Sequence, residues 1–344
     1  MSSNLPNQTD NLIELIRDIY GSGFIPLHRP VFEGNERKYL VECVDSNFVS
    51  SVGENVKKLE QMTANFTGTT HGVATVNGTS ALHMAMLVSG VIAGDEVISQ
   101  ALTFVATCNA ITYCGASPVF IDVDRDTLGL SPNALEKWLS QNAELRDGQG
   151  FNKKTGARIS ACVPMHSFGF PLRIAEIVEI CEAFGITVIE DTAESLGSYV
   201  GDRHTGAFGE LATLSFNGNK VITTGGGGMI LTDNDELAKK AFHLTTTAKV
   251  PHPYEFVHDE VGYNYRLPNL NAALGCAQME NLNAMLYIKA DIAANYRAFC
   301  LKHGFQFVNG IENTRPNYWL NAIILNSITE RNAFLNYLNE QQVM

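Results

Sequence analysis

The chain has 344 residues, 45% of them apolar, and a formal net charge of −12. That length supports a large core divided over two domains, and the apolar fraction belongs to a folded protein rather than a disordered one. The acidic balance argues against nucleic acid or an anionic membrane as main partner, though not against a phosphorylated ligand held by backbone N–H groups. There is no run of about 18 apolar residues to span a bilayer. The polar stretch Met1–Asp10 lacks the basic-then-apolar pattern of a signal peptide. Seven cysteines without a CxxC pair, and nine histidines without an HxxxH or HxH spacing, point to a reduced, cytoplasmic protein with no metal.

In chain order, Asp10 to Tyr20 has the apolar spacing of a short amphipathic helix. A proline-stiffened arm follows, Ile25 to Pro30, and then helices near Asn35–Cys43 and Val56–Phe66. From residue 72 strands and helices alternate. Strands are expected at Gly72–Val76, Glu96–Ser99, Pro118–Val123, Ile159–Met165 and Ile186–Glu190, with helices at Thr79–Val88, Phe104–Tyr113, Pro132–Leu139 and Leu172–Phe184 between them. Asn142–Gly156 reads as a polar loop or surface insertion. Such alternation means an α/β fold with a mostly parallel sheet covered by helices on both faces. Leu211–Phe216 and Met229–Thr232 are joined by a connection too short for a helical crossover, so that pair is expected to be antiparallel.

Asp235–Leu244 is a helix, Thr245–Asp259 a long loop, and Asn269–Phe299 one long helix. Beyond it, Phe305–Val308 and Tyr318–Leu325 read as strands and Glu330–Glu340 as a helix. The expected division is an N-terminal helix and arm over 1–34, a large domain over 35–268, and a smaller α/β domain over 269–344. With only two strands, that last domain reads as C-terminally truncated.

Ligands of open α/β sheets sit outside the carboxyl ends of the strands, and five candidate groups fall there. Gly78, Thr79 and Ser80 open a buried helix, whose free N–H groups and dipole suit a phosphate or serve as an ordinary helix cap. Phe104 could stack on a flat ring or fill a core. His166 could touch a ligand or be a structural histidine. Asp191 closes an apolar strand, where a bare carboxylate needs a cationic partner such as a protonated pyridine, or else caps the next helix. Glu194 lies one helical turn on. Ser215 can donate to phosphate, and Lys220, followed by the glycines Gly225 to Gly228, can form a Schiff base with an aldehyde. Gly262-Tyr263-Asn264-Tyr265-Arg266 suits a polar ligand, a subunit contact or a solvated loop.

These stretches carry a family resemblance. Gly34-Asn35-Glu36, Asn77-Gly78-Thr79-Ser80-Ala81-Leu82, Gly94-Asp95-Glu96-Val97-Ile98, Thr103-Phe104-Val105-Ala106-Thr107, Glu190-Asp191-Thr192-Ala193-Glu194, Ser215-Phe216-Asn217-Gly218-Asn219-Lys220 and Gly262-Tyr263-Asn264-Tyr265-Arg266 resemble the sugar aminotransferases of the DegT/DnrJ/EryC1/StrS type. These are pyridoxal phosphate (PLP) enzymes of fold type I, the aspartate aminotransferase-like class. The resemblance implies that Lys220 is the Schiff-base lysine, Asp191 the pyridine-nitrogen partner and Phe104 the stacking residue. Gly78, Thr79, Ser80 and Ser215 would hold the phosphate, and Glu194 would reach the ring edge or phenolic oxygen. Asn264 would reach the phosphate of a neighbouring subunit, which implies a homodimer with shared sites. His166, Asn217 and Arg266 are candidates for the substrate.

The implied reaction is ping-pong transfer of an amino group from glutamate to C4 of a nucleotide-linked 4-keto-6-deoxy sugar. Many members have Gln where this chain has Glu194. That variant resembles the branch acting on UDP-linked N-acetylhexosamines, the precursors of bacillosamine and legionaminic acid. A GDP- or dTDP-linked sugar, and a non-catalytic PLP-fold regulator, are the alternatives.

Overall fold

A strand that is apolar on both sides has to be covered on both sides, and that requirement organises this chain. The computed structural model describes residues 5–344, so the first four residues of the polar Met1–Asp10 stretch lie outside the described residues. Three helices lead in: α1 (Leu5–Tyr20), α2 (Glu36–Ser46) and α3 (Glu54–Thr67). The alternation then runs β1 (His71–Thr75), α4 (Gly78–Val88), β2 (Glu96–Gln100), α5 (Val105–Tyr113), β3 (Ser117–Ile121) and α6 (Pro132–Asn142). Where a polar loop or surface insertion was expected, β4 (Ala143–Arg146) pairs with β5 (Gln149–Asn152) as a hairpin. Its turn is Asp147-Gly148, both at positive φ, which is the backbone a tight hairpin demands.

Next come β6 (Ile159–Val163), α7 (Ile174–Glu182), β7 (Thr187–Asp191) and the short strands β8 (Tyr199–Val200) and β9 (Arg203–His204). β10 (Leu211–Ser215), β11 (Gly228–Thr232) and α8 (Asp235–Thr245) follow. The chain continues through α9 (Asn269–His303), β12 (Gln306–Phe307), β13 (Thr314–Arg315), β14 (Ile323–Ile324) and α10 (Ile328–Glu340). None of the described helices is long and apolar enough to cross a membrane.

The central sheet has the order β1-β11-β10-β7-β6-β2-β3. The expected antiparallel pair, β10 with β11, is present, and β11 is antiparallel to β1 as well. β10, β7, β6, β2 and β3 are parallel neighbours. One reversed strand therefore separates β1 from β10, and both of those run in the common direction. Their carboxyl ends, with those of β7, β6 and β2, share one edge.

Both faces are filled. Met84, Met86 and Ile111 of α4 and α5 pack on one face, whereas Leu59, Leu214, Phe216, Cys276 and Leu282 belong to the other. Leu135, Leu139 and Ile177 of α6 and α7 cover the β2–β6–β7 end. Fully burying each such side chain stabilises the fold by about 1.5–3 kcal/mol.

The long helix α9 serves two cores. The first half of α9 lies in the large core, with Ala272, Cys276 and Leu282 against Leu59 and Leu214. Its second half packs Ala293 and Cys300 on Phe307. The two parts thus meet inside α9, because one long helix is the cheapest rigid link between two cores. The N-terminal helix also belongs to the smaller part. Leu12, Ile13 and Ile16 pack on Phe334 and Val343, and Ile25 makes a parallel bridge to Val343.

Candidate active site

The shared edge of the sheet is built by short hydrogen bonds from one strand end to the next. Thr213 of β10 is in register with Asp191 of β7, and Asp191 forms a further parallel bridge with Met165 beyond β6. At the end of β2, the buried Gln100 amide accepts from the Leu130 and Met165 N–H groups (2.8 and 3.1 Å). It also donates to Leu102 O and Ser167 Oγ (2.8 and 3.0 Å). Gln100 was not singled out from the sequence, and its role is to lock the loops that carry Phe104 and His166.

Lys220 sits in the turn after β10. Its N–H donates to Asn217 O (3.0 Å), while Phe216, fully buried, anchors the turn by donating to Gly227 O (2.8 Å) and accepting from Thr224 N–H (3.0 Å). The lysine side chain is 12% exposed. Its ammonium donates to Glu194 Oε1 (3.3 Å) and stands 4.1 Å from the centre of the Trp319 ring. Trp319 is held in turn by its indole N–H, which donates to Asn219 O (2.6 Å). Asn317 fastens the same segment to the loop after β7 by donating to the carbonyls of Glu194 and Leu196 (2.8 and 2.9 Å). The smaller part of the chain thus closes one side of the site.

Asp191 is 2% exposed and has no cation within ion-pair distance among the described residues. Its Oδ2 accepts from the Thr107 hydroxyl (2.7 Å) and its Oδ1 from Ala193 N–H (3.1 Å). Burial raises its carboxyl above the ordinary value, against the lowering pull of those two donors and of the Lys220 charge. Burial likewise raises Glu194, against the Lys220 charge and the Phe168 N–H that donates to its Oε2 (2.7 Å).

The start of α4 lies beside Ser215. The Asn77 side chain accepts from Ser80 N–H (2.7 Å), which leaves the Gly78 and Thr79 N–H groups without an acceptor among the described residues. A Cβ on Gly78 would stand 2.8 Å from Ser215 Cβ, and one on Gly228 would stand 2.5 Å from Asn77 O. Only glycine lets the helix start and the β10 end approach this closely. Phe104 precedes α5 with its side chain 67% exposed at the same edge.

PLP fits this set of residues. A buried carboxylate without a cation suits a protonated pyridine, a helix start with free N–H groups beside a hydroxyl suits a phosphate, and a nearby amine suits an aldehyde.

Two substrate candidates, His166 and Arg266, have partners within the fold. His166 is fully buried, and both ring nitrogens are engaged: Nε2 with Glu190 Oε2 (3.0 Å), and Nδ1 accepting from Leu172 N–H (3.2 Å). Glu190 also accepts from the N–H groups of Gly206, Phe208 and Gly209 (2.8, 2.7 and 2.8 Å). Burial alone would raise Glu190, but His166 and these donors outweigh it and hold the carboxyl below its ordinary value. Such a network has no capacity left for a ligand.

Arg266 is 7% exposed and donates to Glu60 Oε1 (2.8 Å) and Ala74 O (3.0 Å), with Phe242 stacked 4.8 Å from its guanidinium. It is spent on holding α3 to β1. Arg266→Met should therefore destabilise the protein by about 3 kcal/mol, because the Glu60 carboxylate is left half-paired in a mostly buried place. A urea titration showing less than about 1 kcal/mol of loss would contradict that role.

Asn217 is exposed, and its amide donates to Asn219 Oδ1 (3.0 Å), close to Lys220 in the same turn. Asn264 is exposed too, and its side chain bonds to none of the described residues. Thr107 and Trp319 were missed as contacts of Asp191 and Lys220. A hydroxyl one turn into the helix after Phe104 was the available signal for Thr107; for Trp319, 99 residues from Lys220 in sequence, there was none in local pattern.

Comparison with known proteins agrees with this geometry. The DegT/DnrJ/EryC1/StrS aminotransferase family matches residues 30–344. A GDP-perosamine synthase of Vibrio cholerae is 36% identical over 321 residues, covering 93% of this chain and 83% of its own. EpsN of Bacillus subtilis, assigned as a pyridoxal phosphate-dependent aminotransferase, is 36% identical over 305 residues, covering 88% of this chain and 76% of its own. Among solved structures, the aminotransferase TlmJ from Streptoalloteichus hindustanus superposes with a TM-score of 0.83 at 26% identity, covering 93% of this chain and 83% of that one. The resemblance read from the motifs thus holds at the family level: this chain belongs to the DegT/DnrJ/EryC1/StrS family and is a PLP-dependent sugar aminotransferase of fold type I.

Proposed function

We propose that the protein moves an amino group from glutamate to C4 of a nucleotide-linked 4-keto-6-deoxy sugar, with Lys220 as the reacting residue. The observation that carries this reading is the placement of the Lys220 ammonium against Glu194 and Trp319, on the sheet edge that also holds the unpaired, buried Asp191. PLP, when bound, supplies the electron sink that makes amino transfer feasible.

The residues of the chain have separable tasks in this reading. Lys220 would hold the cofactor through its amine and, as a free amine, would move a proton at the substrate carbon. Asp191 keeps the pyridine protonated, and Thr107 holds the carboxylate that does so. Phe104 covers the ring face. Gly78, Thr79, Ser80 and Ser215 bind the phosphate, and Glu194, steadied by Phe168 N–H, stands next to the phenolic oxygen. Asn217, exposed in the same turn, would meet the substrate.

The active form is a homodimer in which Asn264 serves the partner's phosphate. Large exposed apolar side chains support a shared surface, among them Phe24, Phe32, Phe48, Phe256 and Val261. A cytoplasmic setting fits seven cysteines that are all unpaired.

For the sugar, the reading keeps a UDP-linked N-acetylhexosamine, on the strength of Glu194 where many family members carry Gln. A GDP-linked sugar is the second reading, favoured by the GDP-perosamine synthases at 36% and 35% identity. A panel of UDP-, GDP- and dTDP-linked 4-keto-6-deoxy sugars, assayed for 2-oxoglutarate release from glutamate, separates them. The UDP sugar should react with the highest kcat/KM. Preference for the GDP sugar transfers the assignment, and reaction with none of the three ends the nucleotide-sugar reading.

A further inference from the structure

Lys289, on the middle of α9, faces the catalytic lysine's neighbourhood without an acid of its own. Its ammonium is 3.3 Å from His28 Nε2 and 3.3 Å from Trp319 O, and no carboxylate among the described residues lies within ion-pair distance. Trp319 thus joins two cations, its carbonyl accepting from Lys289 while its ring lies beside Lys220. The acid nearest to them, Glu194, is already engaged by Lys220 and Phe168 N–H.

The two basic side chains feel this. Burial lowers Lys289 to about 8. Burial, then the charges of Lys289 and Lys220, lowers His28 to about 4. At neutral pH the imidazole is therefore neutral. Because Lys289 donates to Nε2, the ring hydrogen belongs on Nδ1. That Nδ1 is buried and has no hydrogen-bond partner. In a chain of net charge −12, this corner collects two lysines and an orphaned N–H donor around one carboxylate, Glu194, that is already engaged. A buried donor left unsatisfied is costly, and is tolerated where a ligand completes the site.

We infer that Lys289 and His28 form a subsite for an oxyanion of the substrate, next to Lys220 and on the far side of Trp319. The oxyanion is either a carboxylate of the amino donor or a phosphoryl oxygen of the sugar nucleotide. Its identity rests on the transaminase reading above, whereas the existence of an anion subsite does not. The arm that carries His28 also packs with the C-terminal residues through Ile25 and Val343, so the subsite joins the two ends of the chain to the α9 helix.

Calorimetric titration of the PLP-loaded full chain with glutarate, UDP and GDP tests this. Wild type should bind glutarate or a nucleoside diphosphate, and Lys289→Met should weaken that ligand about 10-fold or more. Lys289→Arg, which keeps the charge, should recover most of the affinity. A loss confined to glutarate assigns the subsite to the donor carboxylate, and a loss confined to the nucleotides assigns it to the diphosphate. Equal binding by wild type and Lys289→Met overturns the proposal, as does Lys289→Arg binding as weakly as Lys289→Met, or a wild type that binds none of the three. The visible absorbance of bound PLP, recorded on the same samples, is a separate readout. Its absence would sink the transaminase reading and leave the anion result standing.

Discussion

Lys220→Ala should abolish the visible absorbance that borohydride bleaches in the PLP-loaded protein, and should slow amino transfer about 1,000-fold or more. The same substitution has a structural cost, and the two can be separated. Glu194, whose side chain is 6% exposed, loses its only cation among the described residues and keeps the Phe168 N–H. An acceptor left unpaired in such a place costs about 1–3 kcal/mol. Adding Glu194→Gln to Lys220→Ala removes the unpaired charge while keeping an oxygen for Phe168. The double variant should therefore regain the lost melting temperature and regain none of the activity. Recovery of activity with stability would mean that Lys220 is only a structural partner of Glu194. A wild-type protein that stays colourless with added PLP would remove the lysine from the chemistry altogether.

Asp191→Asn should trade stability against activity in the opposite sense. Burial raises the Asp191 carboxyl above its ordinary value of 3.8 in the cofactor-free protein. A carboxylic acid with a raised pKa in the folded state contributes its full stability below the unfolded value and loses it as the pH rises through the folded value. At neutral pH, then, an ionised Asp191 is a cost to the empty protein. The asparagine variant, free of cofactor, should melt higher than wild type at pH 7, and the gap should narrow as the pH falls toward 4.

Activity goes the other way. If Asp191 faces the pyridine nitrogen as proposed, its replacement would end the protonation it would hold there, and a loss on the order of 100- to 1,000-fold is expected for removing one such electrostatic partner. PLP should also raise the melting temperature of wild type more than that of the variant. Equal thermal shifts in the two would show that Asp191 does not face the ring. Thermal melts with and without PLP at pH 5, 6 and 7 give all of these comparisons from one pair of proteins.

Local chemistry explains which parts of the site were legible in advance. Asn77-Gly78-Thr79-Ser80 is a strand-to-helix turn wherever it occurs, and the helix start is where the structure places it. Asp191 at the end of an apolar strand, and Lys220 before a glycine-rich turn, are anomalies of pattern: charged groups at places that burial penalises. His166 and Arg266 looked like equal anomalies. Their partners, Glu190 and Glu60, are buried acids supplied by neighbouring elements, and sequence spacing does not say which anomaly a neighbour will satisfy.

The strand–helix alternation and the antiparallel β10–β11 pair followed from the sequence by itself, because each depends on residues close to one another in the chain or on patterns at set intervals. The tertiary structure alone decided the rest. It placed β11 between β1 and β10, put the division of the two parts inside α9, and packed α1 on the last helix. It also brought Trp319, Lys289 and His28 to Lys220 from three distant segments. Contacts between distant segments are set by which apolar surfaces can be buried together, and that choice belongs to the whole core rather than to any stretch of it.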